Sequence, residues 1–250
     1  MQVLKLGGSV LTRKEGYMEL DHKNIDSLAQ MLGRAWKSGT RNFILIHGAG
    51  SFGHPVVLKY GLNNGIRTDE QRAGMAFTHA ACTCLSQAVV DALVKNDVPA
   101  ITVPPSSIGK LSNKRISKLD SSIVISLLSS GFLPVLHGDM MLDEKLGGAV
   151  CSGDQLVSYF GKGAERVILG TNVDGIIADG KVVPRITKQN ISEILAHVKG
   201  AETADVTGGM RGKLEELLRI GKPSYIANAL HPERIEKLLR GEKTICTLLE

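Results

Sequence analysis

Aromatic side chains are scarce in this sequence: Phe, Trp and Tyr together make 4% of its 250 residues. A core must therefore rest on Val, Ile, Leu and Ala, within a hydrophobic share of 43%. That usage suits buried parallel strands. Cysteine is sparse as well. Cys82, Cys84, Cys151 and Cys246 stand at spacings that match no zinc pattern, and Cys82-Thr83-Cys84 is too tight for the usual ligand pair. Buried free thiols are the expectation. No run of 18 apolar residues is read in the chain, so no membrane-spanning helix is expected. Met1-Gln2 leads straight into a strand pattern without the charged and apolar regions of a signal peptide, and a soluble cytoplasmic protein is expected. Charge of one sign is missing too. The 30 basic and 25 acidic residues leave +5, with no Lys/Arg block and no basic-aromatic interleaving. Nucleic acid and membrane are set aside as partners, and small anions remain.

Two familiar phosphate motifs are also missing. Gly208-Gly209-Met210-Arg211-Gly212-Lys213-Leu214 lacks the spacing and final Ser/Thr of a Walker A loop. Gly48, Gly50 and Gly53 match the glycines of a dinucleotide fingerprint, but no acidic residue follows a second strand at the required distance. No Gly/Ser-rich linker and no internal repeat divides the chain.

What is present is a set of glycine-rich turns, two of them closing apolar runs: Lys5-Leu6-Gly7-Gly8-Ser9, then His47-Gly48-Ala49-Gly50-Ser51-Phe52-Gly53-His54. The third, Thr207-Gly208-Gly209-Met210-Arg211-Gly212-Lys213, opens a charged helical stretch. Glycine lets backbone N–H groups approach a phosphate, and lysine neutralises it. Three such segments suggest one site that grips two phosphorylated ligands. Apolar runs of strand length recur at 2–6, 42–47, 99–103, 132–137, 166–170 and 223–227. Amphipathic stretches at 24–38, 70–96, 119–130, 153–162, 190–199, 210–220 and 231–239 separate them. The alternation predicts an α/β protein with a mainly parallel sheet covered on both faces. Residues 176–183 read as a hairpin with an Asp179-Gly180 turn, and 104–119 as an irregular loop.

Single residues sharpen this picture. Lys5 lies in an apolar strand, so its ammonium must reach solvent or an anion; the glycines that follow favour a phosphate. His54 is placed at a helix start, where it can donate to a phosphate. His47 is read as structural, holding neighbouring loops. Lys14 is a flexible cation that can close on a transferring group. Asp174 is placed to contact a nucleotide or to position a neighbouring loop, and Asp154 to cap a helix. Met75, Phe77 and Ala80 are offered as the wall of an apolar slot.

In their order along the chain these residues resemble the amino acid kinase superfamily. The quoted motifs are Lys5-x-Gly7-Gly8-Ser9, His47-Gly48-x-Gly50, Ser152-Gly153-Asp154, Thr171-x-Val173-Asp174-Gly175 and Gly208-Gly209-Met210-x-x-Lys213. Within it, His47-Gly48-Ala49-Gly50-Ser51-Phe52-Gly53-His54-Pro55 is similar to the isopentenyl phosphate kinases. The resemblance implies one three-layer αβα sandwich, a homodimer, with residues 1–150 binding the acceptor and 151–250 the nucleotide. It implies ATP as phosphoryl donor, with Mg²⁺ bridging its oxygens; no protein ligand to the metal is named. Lys5, Leu6, Gly7, Gly8, Ser9 and Gly50 would contact ATP phosphates, and Lys14 would stabilise the transition state. Ala49, His54 and Gly153 would hold the acceptor phosphate. Asp174, Asp179, Gly209 and Lys213 would serve the nucleotide. Asn172 departs from the aspartate expected between Thr171 and Val173. A phosphonate kinase of the fosfomycin type and a non-catalytic ATP sensor are the alternatives.

Overall fold

A computed structural model describes residues 1–13, 16–178, 180–197 and 209–250. The chain opens with β1 (Gln2–Leu6), α1 (Gly8–Leu11), α2 (His22–Lys37), β2 (Phe43–His47) and α3 (Gly50–Lys59). It continues through α4 (Asp69–Lys95), β3 (Ala100–Thr102), α5 (Pro105–Ile108), β4 (Gly109–Ser112), β5 (Arg115–Leu119) and α6 (Ser122–Ser129). Then come β6 (Leu133–His137), β7 (Asp139–Asp143), β8 (Gly147–Cys151), α7 (Gly153–Gly161) and β9 (Arg166–Thr171). The last part holds β10 (Ile177–Ala178), β11 (Lys181–Val182), β12 (Arg185–Ile186), α8 (Ile191–His197), α9 (Gly209–Leu218), β13 (Ser224–Asn228), α10 (Pro232–Arg240) and β14 (Thr247–Leu249).

Eight strands form the central sheet in the order β12-β14-β13-β9-β1-β2-β6-β3. Every pairing is parallel except β13 with β14. Strands from residues 1–150 and from 151–250 occupy opposite halves, and β1 and β9 meet at the junction. Side chains alternate across this sheet. Leu4, Leu6, Phe43 and Leu45 face a layer that includes α2, α4 and α10. Val3, Ile44, Ile46, Val167 and Leu169 face α7, α9 and a second sheet ordered β5-β4-β7-β8. The predicted three-layer architecture is therefore the observed one.

Local signals account for the helices. Asp21 accepts from the Asn24 N–H to cap α2, and Thr68 and Gln71 form a reciprocal capping box at α4. Among the described helices α4 is the one long and apolar enough to cross a membrane, and half of its most apolar stretch is buried inside the protein.

Three expectations need correction. Residues 104–119 are not an irregular loop: Asn113 and Lys114 adopt left-handed φ angles of 50° and 65° and turn β4 back on β5. The Asp143 carboxylate fixes that turn by accepting from both of their N–H groups, at 3.1 and 2.7 Å. Cysteine burial is mixed: Cys82 and Cys151 are buried, Cys246 is half-buried and Cys84 is exposed, all four free. On α4, Met75 packs towards Leu62 and Met140, whereas Phe77 and Ala80 are exposed about half a helical turn away. The three do not form one wall. The hairpin of β10 and β11 pairs Ile177 with Val182; its turn residue Asp179 lies outside the described residues.

Candidate active site

The site lies at the carboxyl ends of β1, β2, β6 and β9, where their following turns converge. Gly7 donates to the Gly170 carbonyl near the end of β9, at 2.8 Å, and Gly48 donates to the Leu6 carbonyl at 3.0 Å. Gly138, after β6, donates to the His47 carbonyl at 2.9 Å. The first two glycine loops are in direct backbone contact. A Cβ placed on Gly8 would lie 2.3 Å from the Gly50 nitrogen, so no side chain fits there. Gly50 itself has φ +50°, which disfavours any L side chain. Thr12 stitches the loops together: its hydroxyl donates to the Gly8 carbonyl at 2.9 Å and accepts from the Ser51 N–H at 3.0 Å. Gly8, Ser9 and Gly50 open helices α1 and α3, and none of their N–H groups is taken by the described backbone bonds. First-turn amides of this kind are ready donors for an anion.

Lys5 stands on the α7 side of the central strand β1, with its ammonium nearly sequestered from solvent. Its Nζ lies 2.5 Å from Asp154 Oδ1. Ser152, not Asp154, caps α7, by accepting from the Gln155 N–H at 3.2 Å; the expected capping role of Asp154 is corrected accordingly. Asp154 is the pivot of a charged cluster. Lys213, on α9, places its Nζ 3.9 Å from the other oxygen, Oδ2. Gly153, one residue earlier, leaves room for this arrangement: a Cβ there would sit 3.2 Å from Lys5 Cε. The cluster thus joins one ammonium from the first strand with one from the C-terminal part, beside the glycine turns.

A sequence model of the amino acid kinase family matches residues 1–228. The chain is 38% identical to the isopentenyl phosphate kinase of Methanothermobacter thermautotrophicus, an alignment covering 97% of this chain and 96% of that protein. The chain belongs to the amino acid kinase family, among its isopentenyl phosphate kinases. The corresponding protein of Methanocaldococcus jannaschii is 32% identical over 97% of this chain and 96% of its own length. A solved structure described as "X-ray structures of isopentenyl phosphate kinase" superposes with a TM-score of 0.85 at 35% identity, covering both chains entirely.

Against this frame of the kinase, the residues singled out from sequence divide in three. Lys5, Gly7, Gly8, Ser9, Ala49, Gly50, Gly153 and Lys213 line the convergent strand ends or the Asp154 cluster. Leu6 is buried and contributes its carbonyl, not its side chain. Gly209 is the first residue of α9. His54 is half-buried in α3, the fifth residue of the helix and not its start. Asp174 stands in the loop after β9. It accepts from Asn228 Nδ2 at 2.9 Å and Arg234 Nη1 at 2.6 Å, tying the loop after β9 to β13 and α10. Those bonds, Asn228 first, hold its carboxyl below the usual carboxylate range. Lys14 and Asp179 lie outside the described residues.

Two histidines support the floor. His47 and His137 are paired across β2 and β6 and stack with ring centroids 5.5 Å apart. Each Nδ1 is 3.1 Å from the carbonyl of the next residue, Gly48 and Gly138 respectively. Burial, reinforced by His137, pushes the His47 pKa down to about 3. Burial likewise lowers that of His137, against the pull of Asp139. His47 is thus a neutral structural ring, as expected. Sequence reasoning missed Asp139, whose buried carboxylate binds Nδ1 of His79 on α4 at 2.9 and 3.0 Å. It also gave Asp154 only a capping role; the signal was the Ser152-Gly153-Asp154 motif together with a lysine inside the apolar strand β1.

Proposed function

We infer that this kinase transfers the γ-phosphoryl group of ATP to isopentenyl phosphate, giving isopentenyl diphosphate and ADP. The meeting of Lys5 and Lys213 on Asp154, beside the Gly8–Gly50 contact, carries the reading. Cations and backbone amides gathered from separate segments suit a triphosphate donor facing a monoester acceptor. An oxygen of the acceptor phosphate attacks the γ-phosphorus in line, and the bond from that phosphorus to the β,γ-bridging oxygen breaks. The nucleophile is already ionised near neutral pH, so no strong general base is required. Positioning and charge neutralisation supply the acceleration.

In this reading Lys5, Gly8, Ser9, Gly50 and Lys213 bind the donor phosphates, with Gly209 at the mouth of the nucleotide part. Ala49, His54 and Gly153 hold the acceptor phosphate. Asp154 orients the two lysines. Asp174 shapes the nucleotide-side loop through Asn228 and Arg234. Lys14 is assigned to the transition state and Asp179 to the nucleotide on the family pattern. Mg²⁺ is assigned to the ATP oxygens. Among the described residues no group of three or more His, Cys, Asp or Glu is gathered to hold a metal. Residues 1–150 supply most of the acceptor side and 151–250 most of the nucleotide side, with Lys5, Gly8, Ser9 and Gly50 reaching the donor phosphates and Gly153 the acceptor where the two parts meet.

A cytoplasmic homodimer completes the proposal. Four free cysteines suit a reducing compartment. Among the described residues β3 is an edge strand of the sheet, and it and the exposed Ile123, Ile125 and Phe132 are the proposed surface for a second copy. The test is ADP release measured with isopentenyl phosphate, dimethylallyl phosphate, fosfomycin, glutamate and carbamate. Preference for the two prenyl phosphates supports the reading. Preference for fosfomycin, or ATP binding without acceptor-dependent ADP release, overturns it.

A further inference from the structure

Lys213 approaches Asp154 only to 3.9 Å. That is an ion pair without a short hydrogen bond, so it depends on how far α9 stands from α7. The hairpin of β4 and β5 spans both helices from outside. Its strand β5 is fastened to α7 at each end: Gln155 Nε2 donates to the Lys114 carbonyl at 3.0 Å, and the Tyr159 hydroxyl donates to the Leu119 carbonyl at 2.9 Å. From the same strand Arg115 reaches α9. Its guanidinium forks onto Glu216, with Nη1 on Oε1 and Nη2 on Oε2, the latter at 3.2 Å. The Glu216 side chain is only 13% exposed. Glu216 follows Lys213 by three residues and so shares its side of the helix. The carboxylate that holds the hairpin tip is itself fixed, since Asp143 also accepts from the N–H groups of Lys145 and Leu146 in the turn between β7 and β8, at 2.9 and 3.0 Å.

We propose that Arg115 is a positioning residue for the donor site: through Glu216 it sets α9 against α7 and so holds Lys213 within reach of Asp154 and of the ATP phosphates. A bidentate guanidinium–carboxylate pair fixes direction as well as distance, which a lone ammonium does not. The hairpin, read from the sequence as a loop, thereby becomes a staple between the helix that carries Asp154 and the helix that carries Lys213. The inference rests on the ATP-dependent reading above.

The test compares Arg115→Gln, Arg115→Lys, Lys213→Ala, the Arg115→Gln/Lys213→Ala pair and the reversed pair Arg115→Glu/Glu216→Arg. ATP affinity is measured by equilibrium binding and by KM, alongside KM for isopentenyl phosphate and the melting temperature. Arg115→Gln weakens ATP by about tenfold and leaves the acceptor KM within about twofold. Arg115→Lys recovers part of the loss and the reversed pair most of it. In the Lys213→Ala background, Arg115→Gln adds less than about twofold, because both changes remove one contact. Unchanged ATP affinity in Arg115→Gln overturns the proposal. So does a full further loss in the Lys213→Ala background, or an equal decline of both substrate affinities together with the melting temperature. Wild-type turnover of isopentenyl phosphate is measured separately. Its absence counts against the acceptor assignment, while the ATP-binding comparison still decides the role of Arg115.

Discussion

Lys5 and Asp154, separated by 149 residues in sequence, meet with 2.5 Å between Nζ and Oδ1 and with less than a tenth of either side chain exposed. This pair joins the first strand to the first turn of α7 and sets the position from which Lys213 is also gathered. Asp154→Asn keeps the shape and removes the charge. Loss of one partner from a buried ion pair costs about 3–5 kcal/mol. The expected result is a clear fall in unfolding free energy and a drop in turnover of at least about a hundredfold. Urea unfolding and coupled ADP release check the two effects; wild-type values for both would contradict the role given to Asp154.

In the proposed reading His54 separates acceptor from donor. His54→Ala would then remove a charge-assisted hydrogen bond to the acceptor phosphate, and the expected result is a fall of about a hundredfold in turnover at fixed isopentenyl phosphate. ATP affinity is expected to stay within about threefold, since the proposed donor contacts come mainly from β1, α1 and α9 and only the Gly50 amide shares the helix of His54. Titration calorimetry with ATP and steady-state kinetics with the acceptor separate the two, and near-normal turnover speaks against His54.

Gly8→Ala tests the contact between loops. Its Cβ would meet the Gly50 nitrogen at 2.3 Å and Cα at 2.6 Å, both backbone atoms that cannot swing aside. Strain of about 1–3 kcal/mol and loss of most activity are expected. Gly163→Ala is the control, because its Cβ would find only the Phe160 carbonyl, at 3.9 Å. Equal behaviour of the two variants would remove the argument for close approach.

The central strands were legible because β1, β2, β6 and β9 are short, mainly apolar runs, buried on both faces. The helix register was legible for α2, α4, α7 and α10 because their apolar positions repeat at helical spacing. The elements that were misplaced or missed obey other rules. Helix α3, expected to start at His54, begins at Gly50; it contains Gly50, Gly53 and Pro55, a composition that favours loops, and it is held in place by Thr12 and by packing on α4. Strands β4 and β5 carry Lys110, Arg115 and Lys118 towards solvent, and their turn depends on a distant carboxylate, Asp143. The candidate site was legible where backbone conformation demands glycine or where a charge interrupts an apolar strand. The pairing of Lys5 with Asp154 was not, because it is set by a crossover of the chain and by no local pattern.

The buried ring pair gives a pH signature. An ordinary histidine titrates near 6.5, and burial takes His47 down to about 3 in the folded protein. Between those values the unfolded chain binds the extra proton, so stability is complete above about pH 6.5 and declines as pH falls towards 3. Each such histidine contributes a slope of up to about 1.4 kcal/mol per pH unit. Urea midpoints from pH 7 to 4 should fall, and His47→Asn should flatten the dependence by close to one proton. An unchanged slope in that variant would mean that other groups govern it.

The most direct measurement is a crystal structure of the ternary complex with a non-hydrolysable ATP analogue and isopentenyl phosphate. The account predicts the donor phosphates against Lys5, Lys213 and the Gly8 and Gly50 amides. It predicts the acceptor phosphate against His54 and Ala49, with an acceptor oxygen in line with the γ-phosphorus. Ligands bound elsewhere, or Lys5 and His54 facing unrelated regions of the complex, would contradict it.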